Sequence, residues 1–356
     1  MSHPFEDGTV PAQGSVHEVL EPVWQRTQVV GDARGDVVEK GRLTADYFTD
    51  AQMLTPQRPV PRRGWQRAVH LATFGRVTPA PGPAERRRQE VIARVRAPIS
   101  GSRRVVVMSR KGGVGKTTLT LALGSTFAVE RGDRVVAVDA NPDAGNLAHR
   151  LAHGMADRCD RTITDVLATI DTIGSYAMLQ EYTSQAEESR LEVLASNDDP
   201  RIGEALDRSS YHRVISLLDH YYNLILLDTG TGILDSANQG LIADADQLVL
   251  VLRPGLDGAR AAALTLDWLD EHGYGQLVAQ AVVVINAVRR GVGVPLEQVE
   301  KHFSQRCARV LTVPWDKALE AGAQTDLSIL RPATRESLVH VAAAVADTFV
   351  QSKGSR

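Results

Sequence analysis

Ser109-Arg110-Lys111-Gly112-Gly113-Val114-Gly115-Lys116-Thr117-Thr118, written SRKGGVGKTT, follows the apolar run RVVVMS (104–109) and opens a helical pattern that reaches Arg131. A glycine-rich turn between a strand and a helix is the setting in which backbone amides bind phosphate. Gly112, Gly113 and Gly115 allow the backbone to curl with its N–H groups inward, and Val114 lies within that curl. Lys116 is expected to reach the β- and γ-phosphates, and the Thr117 hydroxyl to ligate Mg²⁺. Thr118 is expected to contact the α-phosphate. The pattern G-x-x-x-x-G-K-[ST] fails by one residue, because Arg110 stands at its first glycine. What remains is K-G-G-x-G-K-T-T, with an additional lysine, Lys111, near the start of the loop.

Outward from this loop, short apolar runs alternate with helical patterns. The runs are RVVAVDA (134–140), LEVLAS (191–196), NLILLD (223–228), QLVLVLRP (247–254), AVVVINA (281–287) and ARVLTVP (308–314). Helical periodicity lies between them near 209–220 and 258–271, and again near 334–350. Strands apolar on both faces imply a parallel sheet covered by helices on both sides. The expected fold class is therefore α/β, a doubly wound, mostly parallel sheet flanked by helices, over residues 101–351.

The first hundred residues read differently. Residues 1–60 are acidic (Glu6, Asp7, Glu18, Glu21 and others) with no persistent period, and are expected to be largely disordered. Residues 61–100 form an Arg-rich arm with short helices, including RRGWQRAVHLATFGRV (62–77) and AERRRQEVIARVRAPI (84–99). Two readings of the arm stand side by side. Its apolar residues pack on the main domain, or the 62–77 segment contacts a partner protein or an anionic membrane. Residues 352–356 are a tail. The 356 residues carry a formal charge of −3 and two cysteines, Cys159 and Cys307, without CxxC spacing. Neither a disulfide framework nor a zinc site follows from that, and a reducing cytosol suits it. The opening residues lack the apolar core of a signal peptide, and no apolar run approaches membrane-spanning length. The expected location is cytoplasmic, with room for peripheral association with the inner face of the plasma membrane.

The phosphate loop with its early lysine resembles the deviant Walker A loop of the MinD/ParA family, P-loop NTPases of the SIMIBI class. The resemblance implies that Lys111 reaches across an ATP-bound homodimer to the partner's nucleotide, with ATP and Mg²⁺ as cofactors. It implies further roles for strand-end residues. Asp139 matches a switch aspartate, Asp228 the Walker B aspartate that holds Mg²⁺ through water, and Gly232 a glycine whose amide senses the γ-phosphate. Asn286 matches an asparagine that reads adenine, and Pro314 and Asp316 match the adenine-side loop. Wording such as GWQRAVHLATFGRV, RVRAPISGSRRVVVMSRKGGVGKTT and RGDRVVAVDANPD resembles the actinobacterial MinD-like ATPases associated with type VII (ESX) secretion. That implies an accessory or regulator of a membrane machine, with a protein partner there.

One departure bears on turnover. Relatives carry an aspartate before the proline where this chain reads Asp139-Ala140-Asn141-Pro142-Asp143. Asn141 accepts a hydrogen bond from water but cannot take its proton. Because phosphoryl transfer relies mainly on positioning and charge neutralisation, the expectation is slow hydrolysis, with a hydrolysis-deficient ATP-bound clamp as the alternative. Asp143 is a second candidate to position water. A ParA-like partition ATPase on DNA would need a basic stripe, but Arg289, Arg290, Lys301, Arg306, Arg309, Arg331 and Arg335 are scattered among acids. A small-molecule enzyme on this fold would need a second catalytic constellation, and His149, His153 and His220 supply none.

Overall fold

Strands apolar on both sides require cover on both sides, and the computed structural model supplies it. Residues 64–351 are described, apart from 75, 78, 81, 142–144, 153–158, 198–205, 233–235 and 290–295. The acidic segment 1–60, Arg62, Arg63, Asp143, His153, Arg290 and the tail 352–356 therefore lie outside the described residues.

The strands are β1 (Arg103–Met108), β2 (Val135–Ala140), β3 (Ser184–Gln185), β4 (Glu192–Leu194), β5 (Leu224–Thr229), β6 (Gln247–Leu252), β7 (Val282–Val288) and β8 (Arg309–Pro314). They form one 8-stranded sheet in the order β3-β4-β2-β5-β1-β6-β7-β8. All pairings are parallel except β3 with β4, a short antiparallel edge that the sequence did not reveal. The order turns around at β1: the chain first builds outward on one side, then crosses to β6 on the other. The loop after β1 thus opens at the switch point of the sheet, where doubly wound folds bind ligands.

Helices cover the two faces separately. They are α1 (Gly64–Ala72), α2 (Pro83–Val95), α3 (Lys116–Arg131), α4 (Ile163–Thr169), α5 (Tyr176–Gln180), α6 (Arg208–Asp219), α7 (Ser236–Ala243), α8 (Leu256–Glu271), α9 (Gly275–Gln280), α10 (Leu296–Ser304), α11 (Lys317–Glu320) and α12 (Pro332–Gln351). The strand period of two sorts the side chains. Val106, Ile225, Leu227 and Leu250 enter one core with Tyr211 and Leu218 of α6 and Leu266 of α8. Val105, Val107, Leu226 and Val249 enter the other with Leu123 and Phe127 of α3 and Leu338, Val341, Val345 and Phe349 of α12. The last helix is thus a core element, and no helix among the described residues is long and apolar enough to cross a membrane.

The two parts of the arm behave differently. On α2, Val91 and Val95 are buried in the second core, beside α3 and α12. The Arg88 guanidinium pairs with Glu336, and Arg94 pairs with Asp347 at 2.5 Å. From α3, Arg131 Nη1 donates to the carbonyls of Val95 and Ala97 at 2.5 and 2.9 Å. By contrast, Leu71 and Phe74, at and beyond the end of α1, are 61% and 95% exposed.

If α2 is part of the packed body, Val95→Ala lowers stability by roughly 1–3 kcal/mol, measured by urea unfolding of the full chain. An unchanged midpoint would mean that α2 is a detachable arm.

Candidate functional site

In-register strands put two carboxylates side by side. Asp139 of β2 and Asp228 of β5 are direct partners across the ladder, at the carboxyl end of the sheet. Both follow the period of the side chains that face α3, so both point under the loop 109–115. Each is 1% exposed. Lys116, the first residue of α3, answers them: its Nζ lies 2.8 Å from Asp228 Oδ1 and its side chain is buried. Thr120, one turn along, donates to the same oxygen at 3.2 Å and to the Lys116 carbonyl at 3.0 Å.

Asp139 is held by the backbone that follows it. Its Oδ1 accepts the Asn141 N–H at 3.2 Å and its Oδ2 the Leu147 N–H at 2.9 Å. Burial, reinforced by the neighbouring charge of Asp228, raises its pKa to about 7. The two backbone donors and Lys116 oppose that rise but do not cancel it. Gly145 packs onto this carboxylate so closely that a Cβ there would fall 2.1 Å from Asp139 Oδ2. Asn141 is half-buried. Its proposed substitute Asp143 is outside the described residues.

The phosphate loop leaves the start of α3 uncapped. Gly115 occupies the N-cap at φ 87°, and no side chain accepts from the first amides of the helix. Those amides, and the positive end of the helix dipole, face the site. Substitution at Gly115 is excluded twice: by that φ, and by Asn286 Nδ2, which would sit 2.5 Å from a Cβ. Thr117 is half-buried and Thr118 buried. Gly112, Gly113 and Lys111 are exposed on the rim. Lys111 Nζ lies 3.5 Å from Asp257 Oδ2 at the start of α8.

Asn286 reaches the loop because β7 is irregular. The register with β8 shifts between Ile285 and Val288, and Ala287 takes φ 59°. Such a bulge redirects a side chain at a strand end. Asn286 Nδ2 donates to the Val114 carbonyl at 2.9 Å, and its Oδ1 accepts the Ala287 N–H at 2.9 Å. Pro314, which ends β8, and Trp315 and Asp316 after it line, with Gly113, Val114, Gly115, Thr118 and Asn286, a cavity of about 270 Å³. Asp316 itself is committed to the chain. It accepts the Ala318 N–H, the Arg331 N–H and the Thr334 hydroxyl at 3.1, 2.9 and 2.7 Å. Although burial opposes ionisation, these donors and the charge of Arg331 hold its pKa below the usual carboxylate range. Gly232 is half-buried and its carbonyl accepts from Asn238 Nδ2 at 2.6 Å, at a distance in sequence from the cavity lining.

The site also contains residues the sequence reading passed over. Thr120 and Gly145 are two of them. Arg150 lines the cavity and donates from Nη1 to Thr118 Oγ1 at 3.2 Å. Arg253 lines it as well and lies 3.6 Å from Glu320. Trp315 carries Arg289 over its ring at 4.5 Å. Thr120 lies one turn beyond Lys116 and Trp315 between Pro314 and Asp316, whereas only folding brings Arg150 and Arg253 to the loop.

The donor set suits a polyphosphate and a hard cation. Uncapped helix amides, Lys116, Arg150 and Arg253 answer negative charge. Thr117 and the paired carboxylates offer oxygen ligands for Mg²⁺, which needs few of them when phosphate supplies the rest. No group of three or more His, Cys, Asp or Glu suited to a metal occurs among the described residues.

A strand–loop–helix of this kind at the switch point defines a P-loop nucleotide-binding fold. The family model "CobQ/CobB/MinD/ParA nucleotide binding domain" matches residues 105–329, and the chain belongs to that family. It is 37% identical over 293 residues to the ESX-1 secretion-associated protein EspI of Mycobacterium tuberculosis, a match covering 82% of this chain and 43% of EspI. The chain thus spans less than half the length of that curated relative. Among solved structures, the ParA family ATPase of Chlorobium tepidum superposes with TM-score 0.57 at 17% identity, covering 68% of this chain and 98% of that one. MinD of Pyrococcus horikoshii, solved with Mg-ADP, gives 0.54 at 21%, covering 68% and 94%. At these identities the two structures establish the fold.

The raised pKa of Asp139 has a signed consequence. A carboxyl whose folded pKa exceeds its unfolded value keeps its proton when folded, so its contribution to stability is lost as pH rises from about 4 to about 7. Relative to the native chain, Asp139→Asn should therefore gain on the order of 1–3 kcal/mol between pH 5 and pH 8 without nucleotide. Urea unfolding at the two pH values checks this; a difference that does not change with pH would show Asp139 ionised throughout.

Proposed function

We propose that this chain is an ATP-dependent switch that hydrolyses ATP slowly and acts as an accessory of a membrane-associated secretion machine. The observation that carries the reading is the buried set of Lys116, Asp228 and Asp139 beneath an uncapped, glycine-lined helix start. A lysine at 2.8 Å from a buried carboxylate is a cation held ready. When the β- and γ-phosphates arrive above it, Lys116 exchanges part of its pairing with Asp228 for phosphate oxygens. Asp228 and Thr117 are the residues that would hold Mg²⁺, which would supply neutralisation of phosphate charge. Asn286 and the loop of Pro314 and Trp315 enclose the base, with Asp316 positioning that loop through its three donors. Gly232, on the segment after β5, offers its amide to the γ-phosphate.

Asp139 and Asn141 govern turnover in this reading. Asn141 orients the attacking water without accepting its proton, which leaves the step slow. Asp139 anchors the Asn141 backbone and is the carboxylate beside it that can receive a proton. Lys111, exposed on the rim and only loosely matched by Asp257, is placed to complete the site of a second copy. ATP then favours the dimer through contacts that the monomer lacks. Likeness to an ESX-1 secretion-associated protein supports the link to secretion. A coat on DNA is disfavoured, because Arg289 is paired with Glu320 and Arg306 with Asp267 and Asp270.

Single-turnover hydrolysis tests the chemistry. Asn141→Asp should speed hydrolysis by roughly 10²–10⁴-fold, and Lys116→Ala should abolish it. Equal rates for the native chain and Asn141→Asp would mean that another residue positions the water. Light scattering with a non-hydrolysable ATP analogue tests the switch. Lys111→Ala should retain nucleotide but remain monomeric, and an undiminished dimer would remove Lys111 from the interface.

A further inference from the structure

The nucleotide cavity is not the larger one. A cavity of about 560 Å³ lies further along α3, between α2, α12 and two loops. From Lys116 to Thr126 on its wall is about 15 Å of helix. Nothing in the nucleotide reading uses it, yet the two cavities share a partition. Residues 322–328 supply Gly322 to the nucleotide cavity and Thr325, Asp326 and Leu327 to the second. Residues 150–152 do the same, with Arg150 on one side and Ala152 on the other. The two segments are zipped together: Thr325 N–H donates to the Arg150 carbonyl at 2.7 Å, and Leu151 pairs with Thr325 as a parallel bridge. From that partition the Arg150 side chain reaches Thr118 of the phosphate loop helix at 3.2 Å. A group that moves Thr325 moves the anchor of Arg150.

The second cavity has a definite chemistry. Its lining carries five carboxylates, Glu130, Glu187, Glu188, Asp326 and Glu336, against two guanidinium groups, Arg88 and Arg335. Arg88 is already engaged by Glu336 and Glu130. Glu187 and Glu188 stand exposed at the mouth on a tight turn closed by Ala186 N–H to the Leu191 carbonyl at 2.8 Å. Val129 on its wall is 51% exposed although it belongs to a helix otherwise deep in the core. Val129, Leu327, Pro332 and Val339 offer a few apolar contacts in a lining that is otherwise polar and carries excess negative charge, which fits a cationic occupant with some apolar side chains. The volume is that of a ligand pocket or of a few side chains.

We infer that this cavity is a docking site for a basic, apolar segment of a protein partner, and that its occupation changes nucleotide affinity through the Thr325–Arg150–Thr118 connection. The coupling rests on the nucleotide-binding reading above; the docking does not. By reciprocity, nucleotide must change the affinity for the segment by the same factor.

The test uses the full chain and a fluorescent twelve-residue peptide of alternating Arg and Leu, with the Glu and Leu peptide as control. Without nucleotide, the basic peptide should bind and the acidic one should not, with affinity falling as salt rises. Glu187→Lys/Glu188→Lys, at exposed positions, should weaken binding at least tenfold while leaving ATP affinity without peptide unchanged. Val129→Trp, which fills the cavity, should also weaken it tenfold. Saturating peptide should shift the affinity for a fluorescent ATP analogue at least threefold in the native chain, and Arg150→Ala should remove that shift while peptide still binds. Absence of binding, or binding indifferent to the Glu187 and Glu188 reversal, overturns the docking site. Binding without a shift in ATP affinity overturns the coupling. Peptide binding in a chain that binds no ATP analogue would instead defeat the nucleotide reading and leave the docking site standing.

Discussion

One buried ammonium paired with one of two adjacent strand-end carboxylates organises this molecule. Parallel pairing in register brings Asp139 opposite Asp228, and the period of two turns both toward α3. Two unpaired carboxylates there would be costly, since burial and mutual repulsion both oppose ionisation. Lys116 relieves Asp228, while Asp139 depends on backbone amides and is held with its pKa near neutrality. Gly145 follows from the same constraint, because no side chain fits beside that carboxylate. The arrangement sets a cation, two oxygen-rich side chains and open helix amides within one small volume, which is the electrostatic complement of a metal-bound polyphosphate.

The rest of the fold keeps that volume in place. The β1 strand is central, with β5 and β6 on either side, so the loop after it cannot shift without disturbing the sheet. From the far side, the bulge in β7 swings Asn286 onto the loop carbonyl of Val114. Asp316 ties the segment after β8 to the start of α12, and through α12 to α2. An arginine-rich stretch thereby becomes part of the body at Val91 and Val95. The exposed Leu71 and Phe74, earlier in the same stretch, do not share that packing.

Residues 150–152 and 322–328 have the same double duty at a smaller scale. They wall the nucleotide cavity with Arg150 and Gly322 and the larger acidic cavity with Ala152 and Thr325. The two segments are joined by a hydrogen bond and a β-bridge, and Leu151 within them is buried in the second core, so a group bound on one side acts on a wall that the other side shares.

Much of this was legible before folding. The apolar runs named each long strand to within a residue or two, because a strand buried on both faces leaves no polar trace in its pattern. The phosphate loop was legible because its chemistry is local: glycines, a lysine and a threonine work from consecutive positions on one turn. Asp139, Asp228 and Asn286 were found as strand ends, but their partners were not. Thr120, Arg150 and Trp315 act across tens to hundreds of residues of chain, and Gly145, six residues from the carboxylate it packs on, belongs to no pattern that marks it. The β3 edge escaped because two residues carry no readable period, and α10 because its nine residues are too short for the period of Leu296, Val299 and Phe303 to stand out. Asp316, expected on the adenine side, lines the nucleotide cavity and also accepts three hydrogen bonds from its own chain, which no local pattern announced. The sequence alone thus determined the sheet, its helical cover and the phosphate loop, whose causes lie in adjacent residues. Only the tertiary structure decided which carboxylate the lysine neutralises, which arginine lines the cavity and where a second cavity opens, because those depend on which distant groups the packed sheet brings within a few ångströms.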